Sequence, residues 1–203
     1  SQADIDTFIE LYIAYFNRAP DAEGLNFWGS AFAEGISLEE IASLFLGQPE
    51  TVATYPSSAT NLEFATQVYA NVLGRTPDEG GLNFWVGQLD DNNVTRDQFI
   101  LEVLRGAKAD PVDGADQAFV DLQLADRAYL ADKTDIGTYF AVTRGLSDVA
   151  EANSIMQLFI RGVQTTIDDA VAAVDQAYGD ALSADTGDFL IQLVGVVDDP
   201  FLA

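Results

Sequence analysis

The chain has no cysteine and no histidine, and it contains one methionine and only two lysines. Without cysteine and histidine, Ser-His-Asp and Cys-His catalysis cannot operate, and most zinc, copper and haem sites lack their ligands. Neither a P-loop pattern nor a G-x-G-x-x-G pattern is present, which argues against nucleotide-phosphate and dinucleotide sites. We therefore expect no enzyme, and carboxylate chemistry of the glycosidase type is the catalytic alternative that stays open.

Positive charge is also scarce. The 203 residues include nine lysines and arginines against 33 aspartates and glutamates, which gives a net charge of -24. So negative a surface repels phosphate backbones and anionic lipid headgroups, and we expect no nucleic-acid binding. The longest apolar run, at residues 189–197, is interrupted by Gln192 and Gly195. It is too short to span a bilayer, so we expect no membrane insertion.

Acidic, lysine-poor chains without cysteine are common among exported bacterial proteins. The composition therefore favours an extracellular or cell-surface location in a bacterium, and a cytoplasmic location stays open. The sequence has no positively charged start followed by an apolar stretch, the pattern of a cleavable signal. The ending VVDDPFLA at 196–203 resembles an uncleaved type I export signal, although a frayed helix end would look the same.

Apolar residues recur at helical spacing along most of the chain, for example at Phe64, Val68 and Val72. No stretch alternates convincingly with the two-residue period of a strand. With 48% hydrophobic residues the chain is long and apolar enough to fold. The sequence therefore predicts an all-α protein, a compact array of about eight helices.

Helix boundaries are marked by capping residues. Ser37 with Glu40 and Thr95 with Gln98 fit the capping box that opens a helix. Glycine after an apolar run predicts a helix end, and this pattern occurs at Gly47, Gly106, Gly145 and Gly162. The proline-containing stretch 48–60 is predicted to be a loop. Two further helices are expected after Gly162, one from Thr166 and one over about 187–197.

An internal repeat is the most informative feature. NRAPDAEGLNFW at 17–28 returns as GRTPDEGGLNFW at 74–85. The helix boundaries around each copy mark three helices, which predicts two tandem three-helix repeats at about 1–50 and 59–107, within residues 1–107.

The rest of the chain, residues 114–203, is predicted to be a helical region packed on the repeats. Whether it contains a degenerate third repeat is left open. The pattern that suggests one combines Thr134 to Phe140 with GLSD at 145–148, which echoes GISL at 35–38.

The shared pattern R-x-P-D-x-x-G-L-x-F-W predicts a corner between two helices. Proline is expected at the first helical position, and the aspartate after it at the positive end of the helix dipole. The arginine is expected to bridge to that aspartate, the glycine to leave room for the indole or for a neighbouring backbone, and the tryptophan to point into the core. These motif residues are Arg18, Pro20, Asp21, Gly24 and Trp28 in the first copy and Arg75, Pro77, Asp78, Gly81 and Trp85 in the second.

A binding site made from the motif is the alternative to a purely structural role. Asn26 and Asn83 favour that alternative, because an asparagine in the middle of a helix has no propensity reason to be there.

Calcium is the one cofactor whose ligand types are present, since it prefers carboxylate and amide oxygens. Two stretches are rich in such groups, LDDNN before the third helix of the second repeat and DPVDGAD after it. The candidate ligands are Asp90, Asp91, Asn93, Asp110, Asp113 and Asp116. Neither stretch has EF-hand spacing, and in so acidic a chain a solvated surface is the competing interpretation.

The motif YFNRAPDAEGLNFW, with its second copy VLGRTPDEGGLNFW, resembles the DUF4214 family, a helical module of unassigned function. The resemblance covers about the first 107 residues, and it extends loosely to the linker domains of phycobilisomes. It implies a module attached to secreted bacterial proteins, among them calcium-binding repeat proteins and surface-layer-like proteins. It implies no catalytic residues, and this chain lacks the glycine-aspartate nonapeptides of the calcium-binding repeats.

These observations lead to a first expectation for function. The chain is a non-catalytic secreted or cell-surface module that acts through protein-protein association, with a protein partner or with itself. The alternative is a calcium- or carbohydrate-binding adhesin domain. In that case exposed aromatics such as Tyr55 or Tyr178 would stack on the sugars of a surface glycan.

Overall fold

The computed structural model describes residues 1–111, 113–183, 187, 190–191 and 199–201. Within these ranges the chain is all-α, as predicted, with ten α-helices, one π-helical segment and no strand. The helices are α1 (Gln2–Phe16), α2 (Ala22–Ala33), α3 (Leu38–Leu46), α4 (Pro49–Thr54), α5 (Asn61–Leu73), α6 (Glu79–Asp90), α7 (Arg96–Lys108), α8 (Gln117–Thr138), α9 (Val149–Leu158) and α10 (Thr165–Ala181), and π1 (Tyr139–Thr143) continues α8. The predicted last helix and the VVDDPFLA ending lie largely outside the described residues.

The helices form two compact units. The first unit consists of Ser1–Ile13, Asn17–Gly35 and Ala131–Ala203. In it α10 packs against α9 and π1, and α2 also packs against π1. Two backbone hydrogen bonds fix the loop that leads into α2, from the Ala19 N–H to the Ala152 carbonyl at 3.4 Å and from the Ala22 N–H to the Leu146 carbonyl at 2.9 Å.

The second unit consists of Ala14–Phe16 and Ile36–Leu130. Helix α5 packs against α6 and α7, and α3 packs against α7. Its core contains the fully buried rings of Phe45, Phe64 and Phe99. The Phe64 ring on α5 and the Phe99 ring on α7 lie 5.8 Å apart, so these two aromatic side chains hold α7 against α5.

The helix ends follow the predicted chemistry at most positions. Both predicted capping boxes are present, at Ser37 for α3 and at Thr95 for α7. Helix α1 ends at Asn17 and α5 at Gly74, each in a left-handed conformation with φ of 54° and 63°. The two copies of the motif therefore begin with the same backbone turn.

Two boundary predictions are wrong. Gly106 does not end a helix but lies inside α7, because the buried face continues past it to Ala107. The predicted loop 48–60 contains the short helix α4, which begins with Pro49 at a first-turn position. This helix is held by the Thr51 hydroxyl, which is buried and donates to the Phe45 carbonyl at 2.5 Å.

Candidate functional site

In the first copy, the motif builds the expected corner between α1 and α2. The Asp21 carboxylate caps α2 by accepting from the Gly24 N–H at 2.7 Å. Both terminal nitrogens of Arg18 donate to the other oxygen of Asp21 at 3.3 Å. Arg18 is only 3% exposed, and its guanidinium lies over the Tyr12 ring at 5.2 Å. The predicted Arg-Asp bridge is therefore present in this copy.

In the second copy, the predicted bridge from Arg75 to Asp78 is wrong. Asp78 caps α6 by accepting from the Gly81 N–H at 2.8 Å. Arg75 instead donates to Asp126 on α8, from Nε at 2.9 and 3.1 Å and from Nη2 at 2.8 Å. Asp126 offers both oxygens in a buried position, which suits the forked guanidinium better than the exposed Asp78 does.

The two prolines are placed differently from the prediction. Helix α2 begins at Ala22 with Asp21 as its N-cap, and α6 begins at Glu79 with Asp78 as its N-cap. Pro20 and Pro77 therefore precede the caps and do not occupy the first helical position. Each aspartate side chain accepts the backbone hydrogen bond that caps its helix. Each proline fixes the φ angle of the residue just before that cap.

The motif glycines leave room for the capping carboxylate. A Cβ on Gly24 would lie 2.9 Å from an Asp21 oxygen and would overlap the Tyr12 hydroxyl. A Cβ on Gly81 would lie 3.2 Å from Asp78. The neighbour that needs the space is thus a polar group of the corner itself, whereas an indole or a backbone segment was expected.

The two tryptophans, which were predicted to point into the core, are half-buried. Leu25 and Leu89 fill buried positions on these helices instead. Trp85 reaches the core with one edge, where its ring lies 5.2 Å from Phe99. Each indole also contacts the phenylalanine before it edge to face, at 5.0 Å for Phe27 and 5.2 Å for Phe84.

An exposed pair of residues remains once the structural roles are assigned. Phe27 is 63% exposed and Phe84 is 58% exposed, at equivalent positions of the two copies. The asparagines before them, Asn26 and Asn83, are exposed as well. None of these four residues caps a helix, and each phenylalanine packs edge to face on its tryptophan while most of its ring stays exposed. We define two motif surfaces, one in each unit: Asn26 with Phe27 on α2, and Asn83 with Phe84 on α6.

The calcium candidates lie at two places in the second unit. Asp90 and Asp91 end α6, and Asn93 follows them in the turn. Asp90 accepts a hydrogen bond from the Asn61 amide at 2.7 Å. The other three candidates, Asp110, Asp113 and Asp116, lie between α7 and α8.

Two of those three candidates have protein partners of their own. Arg127 donates to Asp110 at 3.0 Å, and Asp116 accepts from the Phe119 N–H at 3.0 Å. Across the described ranges of the chain, no three of the acidic, histidine or cysteine side chains come together in a way that could hold a metal ion.

Two titratable groups of the first unit were not recognised in the sequence. Lys133 on α8 is buried and donates to the Asn17 side-chain oxygen at 2.8 Å, and burial lowers its pKa to about 7. Burial, together with the charges of Asp132 and Asp6, raises the pKa of the half-buried Asp135 to about 6. Both residues lie on α8, and Asp135 falls within the pattern that suggested a third repeat. That pattern does not indicate burial, so only the packing of the fold could reveal it.

Tyr55, expected as an exposed sugar-stacking residue, is buried at 6% exposure. Its hydroxyl donates to the Ala14 carbonyl at 2.5 Å and accepts from the Asn71 amide at 2.7 Å. Tyr178 is half-buried, and its ring lies 4.8 Å from the Arg144 guanidinium. Tyr55 therefore cannot stack on a glycan.

Comparison with known proteins gives one match. Residues 42–108 match the model of a family described as "Domain of unknown function (DUF4214)". No curated protein and no solved structure matches the chain. In the described ranges no helix is both long enough and apolar enough to cross a membrane. The match begins in α3, ends with α7 and includes the second copy of the motif but not the first, so residues 42–108 carry a DUF4214 domain.

Proposed function

We propose that the protein is a non-catalytic interaction module, located outside the bacterial cell or on its surface, which acts by binding another protein. The observation that carries this proposal is the exposed phenylalanine of each motif surface. Two copies of one motif each carry a phenylalanine that is more than half exposed, at equivalent positions. A ring kept on the surface twice is typical of a contact residue in a protein interface.

The energetics support this role. Covering the exposed part of one phenylalanine ring removes about 100 Å² of apolar surface from water, worth about 2–3 kcal/mol. Each ring also rests edge to face on the half-buried tryptophan next to it. Such support limits the entropy lost on binding, because the ring is held before the partner arrives.

The charge of the chain favours a partner that is a different protein. Two copies that each carry a net charge of -24 repel each other. A basic partner is attracted instead, and complementary charge raises the association rate. Self-association is therefore expected only where salt screens the repulsion.

Photo-crosslinking tests the proposal. A photoreactive phenylalanine analogue replaces Phe27 or Phe84 in the native host, and Phe119 provides the control. Phe119 is 46% exposed on α8 and lies outside the motif. We expect the same covalent adduct with one protein from positions 27 and 84, and none from position 119. No adduct at either motif position, or equal adducts at all three, would overturn the proposal.

A surface glycan is the second candidate ligand, because each motif surface sets an exposed amide beside an exposed ring. Amide groups that hydrogen-bond hydroxyls and aromatic rings that stack on sugars are the two elements of such a site. Binding to a glycan array that is lost in Phe27→Ser and Phe84→Ser, but kept in Phe119→Ser, would favour the adhesin function. With protein adducts absent, it would replace the first proposal.

A further inference from the structure

The corner that leads into α9 has the same backbone arrangement as the two motif corners. Each of the three corners has one residue in the left-handed conformation, followed by an aspartate that caps the next helix. In the third corner these are Gly145, with φ of 67°, and Asp148, whose carboxylate accepts from the Glu151 N–H at 2.8 Å. Asp21 and Asp78 accept from the N–H three positions further on in the same way, at 2.7 and 2.8 Å.

An arginine lies over a tyrosine ring at all three corners. The distance from the guanidinium carbon to the ring centre is 5.2 Å for Arg18 and Tyr12, 5.5 Å for Arg75 and Tyr69, and 4.9 Å for Arg144 and Tyr139. The tyrosine precedes the capping aspartate by the same number of positions each time, with Tyr12 before Asp21, Tyr69 before Asp78 and Tyr139 before Asp148. Tyrosine, arginine and cap therefore keep one arrangement in three places.

The π-helical segment π1 explains why the third corner is hard to recognise in the sequence. The Arg144 N–H donates to the Tyr139 carbonyl at 3.0 Å, which is the wider hydrogen bond of a π-helix and takes up one extra residue. Gly145 therefore follows its tyrosine one position later than Asn17 and Gly74 follow theirs. The connection from Gly145 to its aspartate is one residue shorter in turn, and it lacks the motif's proline. The two changes compensate, so α9 keeps the register of α2 and α6.

The rest of the repeat follows in that register. A second left-handed residue comes at the same distance after the capping aspartate in every copy, at Gly35, Asn92 and Gly162, with φ of 105°, 55° and 74°. The third helix begins shortly after it, as α3, α7 and α10. Helix α10 packs against α9 and π1, as α7 packs against α5 and α6 in the second copy. GLSD at 145–148 thus belongs to the corner, and Gly162 holds the place of the glycine in GISL.

The surface of this third copy has the asparagine of the motif surfaces without the ring. Asn153 and Ser154 are exposed, at the positions that Asn26 with Phe27 and Asn83 with Phe84 hold in the other copies. The Asn153 oxygen accepts from the Gln157 amide at 2.5 Å, and the Ser154 hydroxyl donates to the Glu151 carbonyl at 3.1 Å. Ile155 replaces the tryptophan and is only 3% exposed. Positions 153 and 154 therefore present two polar groups that α9 already satisfies.

We propose that the end of α8 with π1, α9 and α10 forms a third copy of the repeat, and that position 154 is its contact position, inactive because it carries serine. This inference rests on the proposed function, and it states which surfaces can bind the partner protein. A ring restored at position 154 should create a third contact, because apolar area is the main source of binding energy at such a site.

Substitution of Ser147 tests the third copy without any partner. Counted from the capping aspartate, Ser147 holds the place of Pro20 and Pro77, and its buried hydroxyl has no hydrogen-bond partner among the described residues. Ser147→Ala removes the hydroxyl alone, and Ser147→Pro also fixes φ as the two motif corners do. We expect the melting midpoint of the proline variant to lie about 1–3 °C above that of the alanine variant. A proline midpoint at or below the alanine one would show that the corner is not a copy.

Photo-crosslinking at the three asparagines tests the contact position. A small diazirine amino acid replaces Asn26, Asn83 or Asn153 in the native host, so that both phenylalanines stay in place. We expect adducts with the same protein from positions 26 and 83, and none from position 153. Adding Ser154→Phe to the probe at 153 should produce that adduct, at a lower yield because Ile155 gives the ring no tryptophan to rest on.

A ring elsewhere on α9 provides the control. Ala150 is exposed one turn before Ser154, and Ala150→Phe should produce no adduct from the probe at 153. An adduct at 153 without an added ring would show that the third surface binds already. No adduct with Ser154→Phe, or an equal one with Ala150→Phe, would show that position 154 is not a contact position. Each of these results would overturn the proposal for this surface.

The outcomes separate this inference from the proposed function. If the proline variant is the more stable one but no adduct forms at positions 26 and 83, the third copy stands, whereas protein association and the contact role of position 154 are both wrong. If adducts form at 26 and 83 but the proline variant is not the more stable one, protein association stands and the third copy is wrong.

Discussion

Arg75 and Asp126 form a forked ion pair in the second unit, with Nε and Nη2 of the guanidinium both bonded to the carboxylate. Asp126 is 5% exposed, and Arg75 also lies over the Tyr69 ring at 5.5 Å. The equivalent arginine of the first copy, Arg18, bridges to the aspartate of its own corner. One motif arginine thus stabilises a local turn in one copy and a contact with a distant helix in the other.

Removing the Asp126 carboxylate should destabilise the protein strongly. We expect Asp126→Ala to lower the free energy of unfolding by about 3 kcal/mol, because it leaves a largely buried guanidinium without its main partner. Asp78→Ala, which removes only a helix cap, should cost about 1 kcal/mol. Urea unfolding of the two variants measures the difference. Replacing both partners, in Arg75→Met with Asp126→Leu, should recover most of the loss, and equal costs for the two single variants would contradict the pairing.

Gly74 is expected to tolerate no side chain, for a reason that goes beyond its backbone. Its φ is 63°, and a Cβ there would lie 2.7 Å from the Tyr129 ring. Gly162 has a similar φ of 74°, but a Cβ there would meet no atom within 4 Å. Gly162→Ala should therefore lower the free energy of unfolding by about 1 kcal/mol, for the left-handed conformation alone. Gly74→Ala should lower it by about 2–3 kcal/mol more than Gly162→Ala does, because its Cβ also meets the Tyr129 ring. Thermal melts of both variants measure this, and equal midpoints would mean that Tyr129 moves aside freely.

Local features of this fold could be predicted because short-range physics decides them. The capping boxes at Ser37 and Thr95 and the bridge from Arg18 to Asp21 depend on residues three positions apart. The exposure of Phe27 could also be predicted from the spacing of its neighbours. Leu25, Trp28 and Phe32 share one side of α2 at helical spacing and Phe27 lies off it, although only Leu25 of the three is fully buried.

The features that were missed depend on residues far apart in the chain. Asp126 stands 51 positions after Arg75, and no local pattern distinguishes it from the other acidic residues. The burial of Lys133 follows from what packs around α8, which its own sequence does not encode.

Lys133 should make stability depend on pH. Burial lowers its pKa from 10.5 to about 7, so the unfolded chain holds more protons than the folded one between these values. The free energy of unfolding should therefore rise with pH through this window, by about 2 kcal/mol between pH 7 and 9. The buried Tyr15 and Tyr55, whose pKa values burial raises, oppose this only above the unfolded tyrosine value near 10.

Urea unfolding at several pH values measures this effect. Lys133→Met removes the titrating group and should flatten the rise between pH 7 and 9. Lys108→Met is the control, because Lys108 is exposed at the end of α7 and should leave the rise unchanged. A variant lacking Lys133 that keeps the wild-type slope would show that the lysine is not the source.

Calcium should stabilise the protein no more than another salt does. Asp90, Asp110 and Asp116 already accept hydrogen bonds from Asn61, Arg127 and the Phe119 backbone, and a cation would have to displace these partners. Any salt still raises the melting midpoint to some extent, because it screens the self-repulsion of a chain with a net charge of -24.

The measurement compares melts in EDTA, in millimolar calcium chloride and in sodium chloride of the same ionic strength. We expect the two salts to give the same midpoint. Binding to the native state would raise the calcium midpoint above the sodium one. An excess of several degrees that disappears in Asp90→Ala or Asp113→Ala would contradict the expectation, and it would identify a calcium site at that loop.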